Sequence, residues 1–343
     1  MLQRNRTPLY ALLGANAISM AGNQITTIAI PWYVLAAGGS AAQVGLVGFF
    51  TFLPTVISAL FGGGIIDRIG RKRISILADL CSMLAVGLIP LLHATIGLHF
   101  WQLLVLVFAG ALLDAPGNTA RQALFPEIID AAGMTPDRAN SAYQTVFRFA
   151  TLVGPLVGGL LISALGATNV LWIDAATFGV SALMVLMFIP ADATIEREAS
   201  HYVAEMLEGL RFIWNDRLLL WLAGILLVMN FLDAPLYSVA APLFAKEQFD
   251  SAKSLGLMFA AFGAGGVTGS IGYGVIARRF SRRAVFVGAF FFCSISPFVL
   301  ATFPPLWVIS AVLFLVGLIG APLNPILMTV RQERVPIEMR GRV

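Results

Sequence analysis

Apolar residues run through this chain in ten long blocks separated by short polar breaks, and the blocks do not alternate with polar positions as sheet strands would. The blocks are Pro8 to Ala36, Gln43 to Ile66, Ile74 to Thr95, Phe100 to Leu124, Ala142 to Leu165 and Val170 to Ile189, then Leu218 to Phe244, Leu255 to Ala277, Ala284 to Phe303 and Leu306 to Val330. A bilayer core is about 30 Å thick and takes about 20 apolar residues as a helix, so each block predicts one membrane-spanning helix. Barrel strands would show alternating segments of about ten residues, which leaves helices to satisfy the backbone in lipid. The chain therefore reads as an all-α membrane protein. Arg4 and Arg6 before the first block imitate a signal peptide, but the block is long, carries Asn16, Asn23 and Gln24, and has no small-residue cleavage site. It is expected to stay as a helix.

Composition excludes a water-soluble globule: 58% of the 343 residues are hydrophobic, 12% are charged, and the mean hydropathy is +0.86. The pI of 9.3 does not indicate a nucleic-acid partner, because the basic residues fall in bursts between apolar blocks rather than in one patch. Alternate connections hold 20 of the 22 Lys and Arg residues on one side, Arg121, Arg138 and Arg148 among them, and only Lys246 and Lys253 on the other. Positive loops stay cytoplasmic, so both ends are expected in the cytoplasm and the chain in the inner (plasma) membrane. Cys81 and Cys293 lie inside apolar blocks without metal-ligand spacing and are expected to pack.

The longest break, between Pro190 and Arg217, divides the chain into a bundle over residues 1–190, a linker over 191–217 and a bundle over 218–343. Acidic residues alternate there with Tyr202, Val203, Met206, Leu207, Leu210 and Phe212 at helical spacing. This pattern predicts an amphipathic helix, lying on the membrane face or solvated between the halves. An internal repeat crosses the linker. GGIIDRIGRK from Gly63 returns as GVIARRFSRR from Gly274, and TARQALFPE from Thr119 returns as TVRQERVPI from Thr329, at offsets of 211 and 210. Nearly equal offsets predict parallel six-helix repeats, of which ten helices of an expected twelve are present, with two further spans expected after Val343.

Gly63 to Lys72, with Asp67, Arg68, Gly70 and Arg71, resembles the signature between helices two and three of the major facilitator superfamily. The run Gly154-Pro155 to Gly158-Gly159 resembles that superfamily's antiporter signature, with Ala150 at the pattern's first glycine. RQALFPEIID from Arg121 and LWIDAATF from Leu171 are similar to the drug, macrolide and siderophore exporter branch. The resemblance implies the major facilitator fold and a secondary transporter that exports small amphipathic, drug-like or siderophore-like molecules by proton antiport with alternating access. It implies a latch in which Asp67 meets cations, with Arg68, Arg71, Lys72 and Arg148 available, whereas a simpler role for Lys72 and Arg73 is to anchor topology. Gly154, Pro155, Gly158 and Gly159 then bend helix five and let it approach closely, with Gly265, Gly266, Gly269 and Gly272 of span eight as the matching surface. A facilitator or importer of the same fold and a non-transporting receptor are the alternatives.

Charged groups inside a membrane cost roughly 2.5 to 3.5 kcal/mol each on insertion scales, so every buried aspartate needs a reason. Asp114 in mid-span four and Asp233 in span seven, with Asn230 a turn before it, are the candidate carriers of a coupling proton, and Asp79 follows them. Asp79 can also be structural, paired with an arginine such as Arg148, and Asp174 reads as a helix-start carboxylate beside Trp172. Asn23, Gln24, Asn118 and Asn230 can line a cavity or tie helices together. No paired acids on facing helices and no His and Glu metal spacing are evident, so no enzyme, metal site or cofactor is expected; the partners are a small-molecule substrate, protons and lipid, and the working form is a monomer.

Overall fold

The computed structural model describes residues 6–190, 202–276 and 281–336, with the backbone alone over 59–68, 202–206 and 275–276. Fourteen α-helices and one π-helical turn account for nearly all of it, and there is no strand among the described residues. The helices are α1 Thr7–Ala36, α2 Ala41–Ile69, α3 Arg71–Thr95, α4 Phe100–Ala132, α5 Pro136–Leu165 and α6 Ala167–Phe188, then α7 Tyr202–Asn215 and α8 Arg217–Pro235. After the π turn Leu236–Ala240 come α9 Ala241–Phe249, α10 Ala252–Ile276, α11 Arg282–Cys293, α12 Ser296–Leu300, α13 Leu306–Gly320 and α14 Leu323–Arg334.

Local chemistry sets the ends. Gly70 joins α2 to α3 at φ 96°, and Gly133 closes α4 at φ 62°, both in the left-handed region that side chains resist. The Asp216 carboxylate accepts from the Leu218 and Leu219 N–H groups at 2.9 and 3.1 Å to start α8, and the Ser281 hydroxyl accepts from Ala284 N–H at 3.2 Å to start α11. Pro235 removes a backbone donor, and the span it belongs to continues through the π turn into α9.

Nine stretches among the described residues are long and apolar enough to cross a membrane. α1 is the tenth span expected from the sequence: its 30 residues reach about 45 Å, but Asn16, Asn23 and Gln24 dilute its apolarity. A helix wrapped by protein can carry such residues. Leu9, Leu12, Ala15 and Ile28 of α1 are fully buried, and Asn16 is nearly so. Elsewhere large apolar side chains face outward, with Trp101 63%, Phe231 76% and Trp307 74% exposed, the distribution a lipid solvent demands.

The described residues form two compact units. The first holds α1 to α6 with Ser238–Ala260; the second holds α7, α8 and the chain from Ala261 onward. In the first, α1 packs on α5 and α6, α3 on α4 and α6, and α2 on α4. Leu9, Leu12, Phe125, Ile128, Val185 and Ile189 fill the end where α1 begins. Small residues set the spacing between these helices: a methyl placed on Gly117 would come within 2.5 Å of Ala78 Cβ, and one on Gly110 within 3.2 Å of Ala85 Cβ. In the second unit Gly265 and Gly269 of α10 lie against the Phe314 and Leu318 carbonyls of α13. The linker's first residues lie outside the described ones; its remainder is α7, where Leu207, Leu210 and Trp214 are exposed.

Candidate functional site

Three aspartates, one arginine and a set of amides and hydroxyls share the interior of the first unit. Asp114, Asn118 and Arg121 recur on α4 at i, i+4 and i+7, a spacing that puts them on one helix face. The Asn118 amide donates to Asp114 Oδ2 at 3.3 Å, and the Asn23 amide of α1 reaches Asp114 Oδ1 at 3.5 Å. Arg121 Nη2 donates to Asn118 Oδ1 at 3.3 Å. Its other terminal nitrogen donates to both oxygens of Asp79 on α3 at 3.1 and 3.0 Å, and to Ser181 Oγ of α6 at 3.2 Å. Ser181 in turn donates to Asp79 Oδ2 at 2.7 Å. One run of hydrogen bonds therefore ties α1, α3, α4 and α6 together.

The ion pair is almost dry, with Arg121 and Asp79 side chains each 2% exposed. Such a pair survives in low dielectric because further hydrogen bonds complete it, and Ser181 and Asn118 supply those here. Arg121 Nε has no acceptor among the described residues. A cavity of about 390 Å³ at this end of the unit reaches Arg121 and is lined also by Gln122, Asn140, Tyr143 and Gln144.

Arg121 is the residue that charge counting misplaces. α4 runs past Leu124 to Ala132, so Arg121 lies about three turns inside the helix, buried, and is not a charge of the connecting loop. Asp79 pairs with Arg121 and not with Arg148, which stands exposed on α5. Asp174 is likewise no exposed helix-start group. It is fully buried on α6, bonded by Thr26 of α1 and by Thr177, with the bare backbone of Gly22 against its carboxylate.

The remaining candidates lie elsewhere. Gln24 packs its stem on Gly154 and stays outside this network. Asp233 is half-buried in the second unit near Tyr237 and Cys293, and the Asn230 amide donates to Leu226 O of its own helix at 2.8 Å. The side chains of Gly63 to Arg68, Asp67 included, lie outside the described residues. Arg71 binds Ala123 O at 3.1 Å and Glu127 at 2.6 Å, and Lys72 caps the end of α6 through Leu186 O and Ile189 O at 3.0 and 2.5 Å. Arg282, one repeat after Arg71, pairs with Glu333 at 2.8 Å.

The antiporter-like run is a close-packing surface. Methyls on Gly154 and Gly158 would meet Gln24 Cβ at 2.6 Å and Ile25 Cα at 3.3 Å, both on α1. A methyl on Gly159 would meet Gly256 Cα of α10 at 2.9 Å, and Gly256 faces the Pro155 carbonyl. The glycine of α10 that meets α5 is thus Gly256, whereas Gly265 and Gly269 serve the α13 contact. Among the described residues there is no cluster of ligands for a metal ion.

A bundle of apolar spans with a dry ion pair, an acid in mid-span and glycine seams between its helices defines a multi-pass membrane transporter. The chain belongs to the major facilitator superfamily, whose profile matches residues 12–343. It is 37% identical over 351 residues to the multidrug efflux pump Tap of Mycolicibacterium fortuitum, covering 100% of this chain and 85% of that one. It is 27% identical over 357 residues to the enterobactin exporter EntS of Escherichia coli, covering 100% and 81%. The structure of the nucleoside transporter NupG shares its fold at a TM-score of 0.73 and 13% identity, over 98% of this chain and 85% of that chain.

Proposed function

We propose that this transporter carries small amphipathic, drug-like or siderophore-like molecules out of the cell in exchange for protons, by alternating access, as a monomer in the inner (plasma) membrane. Likeness to Tap and EntS supports the direction and the cargo class. The asymmetry of Lys and Arg supports a cytoplasmic N-terminus, which puts the cavity beside Arg121 on the cytoplasmic side. Asp67 with Arg68 is assigned to a cytoplasmic latch on the strength of the signature alone.

The observation that carries the reading is the single face of α4 that bears Asp114, Asn118 and Arg121. Asp114 has amide donors as its bonded partners, which suit a carboxylate and, with one amide turned, a carboxylic acid. Arg121 holds Asp79 and reaches Asp114 through its field, so a proton taken or lost by Asp114 changes the charge balance of the whole interior. Asp114 ranks before Asp233, which has no comparable donors. The test is Asp114→Asn in reconstituted vesicles, with the cationic dye ethidium as cargo. Efflux driven by a pH gradient should fall sharply while dye exchange at equal pH persists; full gradient-driven efflux would refute Asp114 as the carrier. Inward accumulation of dye by the wild type under the same gradient would favour the importer instead.

A further inference from the structure

Among the described residues, the interior of the first unit holds more acid than base. Asp79, Asp114 and Asp174 share it with Arg121, and Arg121 is spent on Asp79 through both carboxylate oxygens. That leaves Asp114 and Asp174 without a bonded cation of their own. Two unpaired carboxylates inside one low-dielectric bundle disfavour each other's charge, and the simplest neutral balance places a proton on them.

Asp174 is built to accept one. Its side chain is fully buried, two turns inside the end of α6 opposite to that of Asp79 on α3, and its bonded partners are hydroxyls. Thr177 Oγ1 stands 2.7 Å from the Asp174 main-chain oxygen and 3.2 Å from Asp174 Oδ1, yet a hydroxyl has a single proton to give. With Asp174 ionised, that proton points to Oδ1. With Asp174 protonated, the hydroxyl turns to the main-chain oxygen and accepts from the acid, so a proton enters or leaves with no movement of heavy atoms. Thr26 of α1 holds the other oxygen, and Gly22 leaves room for the carboxyl.

No cation competes for this group among the described residues. α1 carries Tyr10 and Tyr33 but no Lys, Arg, His, Asp or Glu. α3 carries Arg71, Lys72, Arg73, Asp79 and Cys81 in its first half and His93 at its far end, where His93 bonds Tyr33 at 2.9 Å. α5 carries Asp137, Arg138, Tyr143 and Arg148, the last about 9 Å along the helix before Gly154, which packs on Gln24 of α1 between Gly22 and Thr26. The groups that act on Asp174 are Thr26, Thr177 and the charge of Asp114.

We propose that Asp174 is a second proton-binding carboxyl of this carrier, exchanging a proton with the outer side in each cycle alongside Asp114. The proposal rests on the proton-antiport reading, and it makes Asp174 a coupling residue that never touches cargo.

The test compares wild type, Asp174→Asn and Asp114→Asn in lipid by infrared difference spectroscopy between acid and alkaline pH, and by gradient-driven ethidium efflux. A carboxyl C=O band that titrates should be lost in Asp174→Asn, kept in Asp114→Asn, and shifted in frequency but not lost in Thr177→Val. Each coupled proton is worth about a factor of ten in accumulation per unit of pH gradient, so Asp174→Asn should reach a roughly tenfold lower dye ratio while exchanging dye normally at equal pH. A difference spectrum of Asp174→Asn that matches wild type, or an unchanged dye ratio, overturns the proposal. Asp114→Asn separates the two claims: if it keeps the full wild-type dye ratio the assignment of Asp114 falls, whereas if its ratio drops and Asp174→Asn is unaffected only the second site falls.

Discussion

Replacing Arg121 by Met removes the guanidinium that neutralises Asp79 while keeping much of its apolar stem. Both side chains are 2% exposed, so the orphaned carboxylate cannot recover hydration in place. Breaking a buried pair from one side costs about 3–5 kcal/mol, because the remaining charge is left uncompensated. Asp79 would keep Ser181 as a donor, which returns about 1 kcal/mol and places the expected loss near the lower end. Taking both charges out together should be far milder: Asp79→Leu with Arg121→Met leaves an apolar contact between α3 and α4 and should sit within about 2 kcal/mol of wild type. The assay is a double-mutant cycle by reversible unfolding in mixed micelles, read by helical ellipticity. The single losses should exceed the double by a wide margin. Additive losses, or an Arg121→Met protein as stable as wild type, would refute the claim that the pair is dry and mutually dependent.

Two contrasts complete this. The Arg71–Glu127 pair has the shorter bond, 2.6 Å against 3.0 Å, but its side chains are 20% and 53% exposed, so Arg71→Gln should cost under about 1 kcal/mol in the same unfolding assay. Gly159→Val would drive side-chain atoms into backbone of Ala252 and Gly256 and should cost about 1–3 kcal/mol or more, whereas Gly266→Ala, with open space around its Cα, should be neutral or gain up to about 1 kcal/mol; equal effects of the two would refute the seam.

The membrane fold is legible because apolar block length answers to bilayer thickness, and the repeat shows because a basic turn follows the second span of each half. Packing of polar groups is less so. Arg121 is counted as a cytoplasmic-end charge while α4 is thought to end at Leu124; its i+7 relation to Asp114 is the signal that sets it on the polar face, and charge counting passes over it. Asp174 is hidden for a similar reason, since Thr177 and Ser181 continue its face of α6 at i+3 and i+7 but hydroxyls are common in membrane helices. The choice of Gly256 over Gly265 against α5 needed the actual crossing point of two helices, which no local pattern carries.

The repeat also separates what the fold requires from what coupling requires. An offset of 211 maps Arg71 onto Arg282, and each pairs with a glutamate, Glu127 and Glu333, although Glu333 stands at the place of Ala123 in the repeat, so the arginine recurs in both halves with a partner of its own in each. The same offsets map Asp79 onto Phe290, Asp114 onto Asn324 and Asn23 onto Asp233. No second copy of the Asp79–Arg121 pair is therefore possible, although Arg331 occupies the place of Arg121. Were the pair a packing device, duplication would have served it as it serves Arg71 and Arg282, because the helices around it are duplicated too. Its confinement to one unit sets the pair apart from the contacts that both halves share, and the two carboxyls without a bonded cation beside it are the groups that the proposed proton exchange would use.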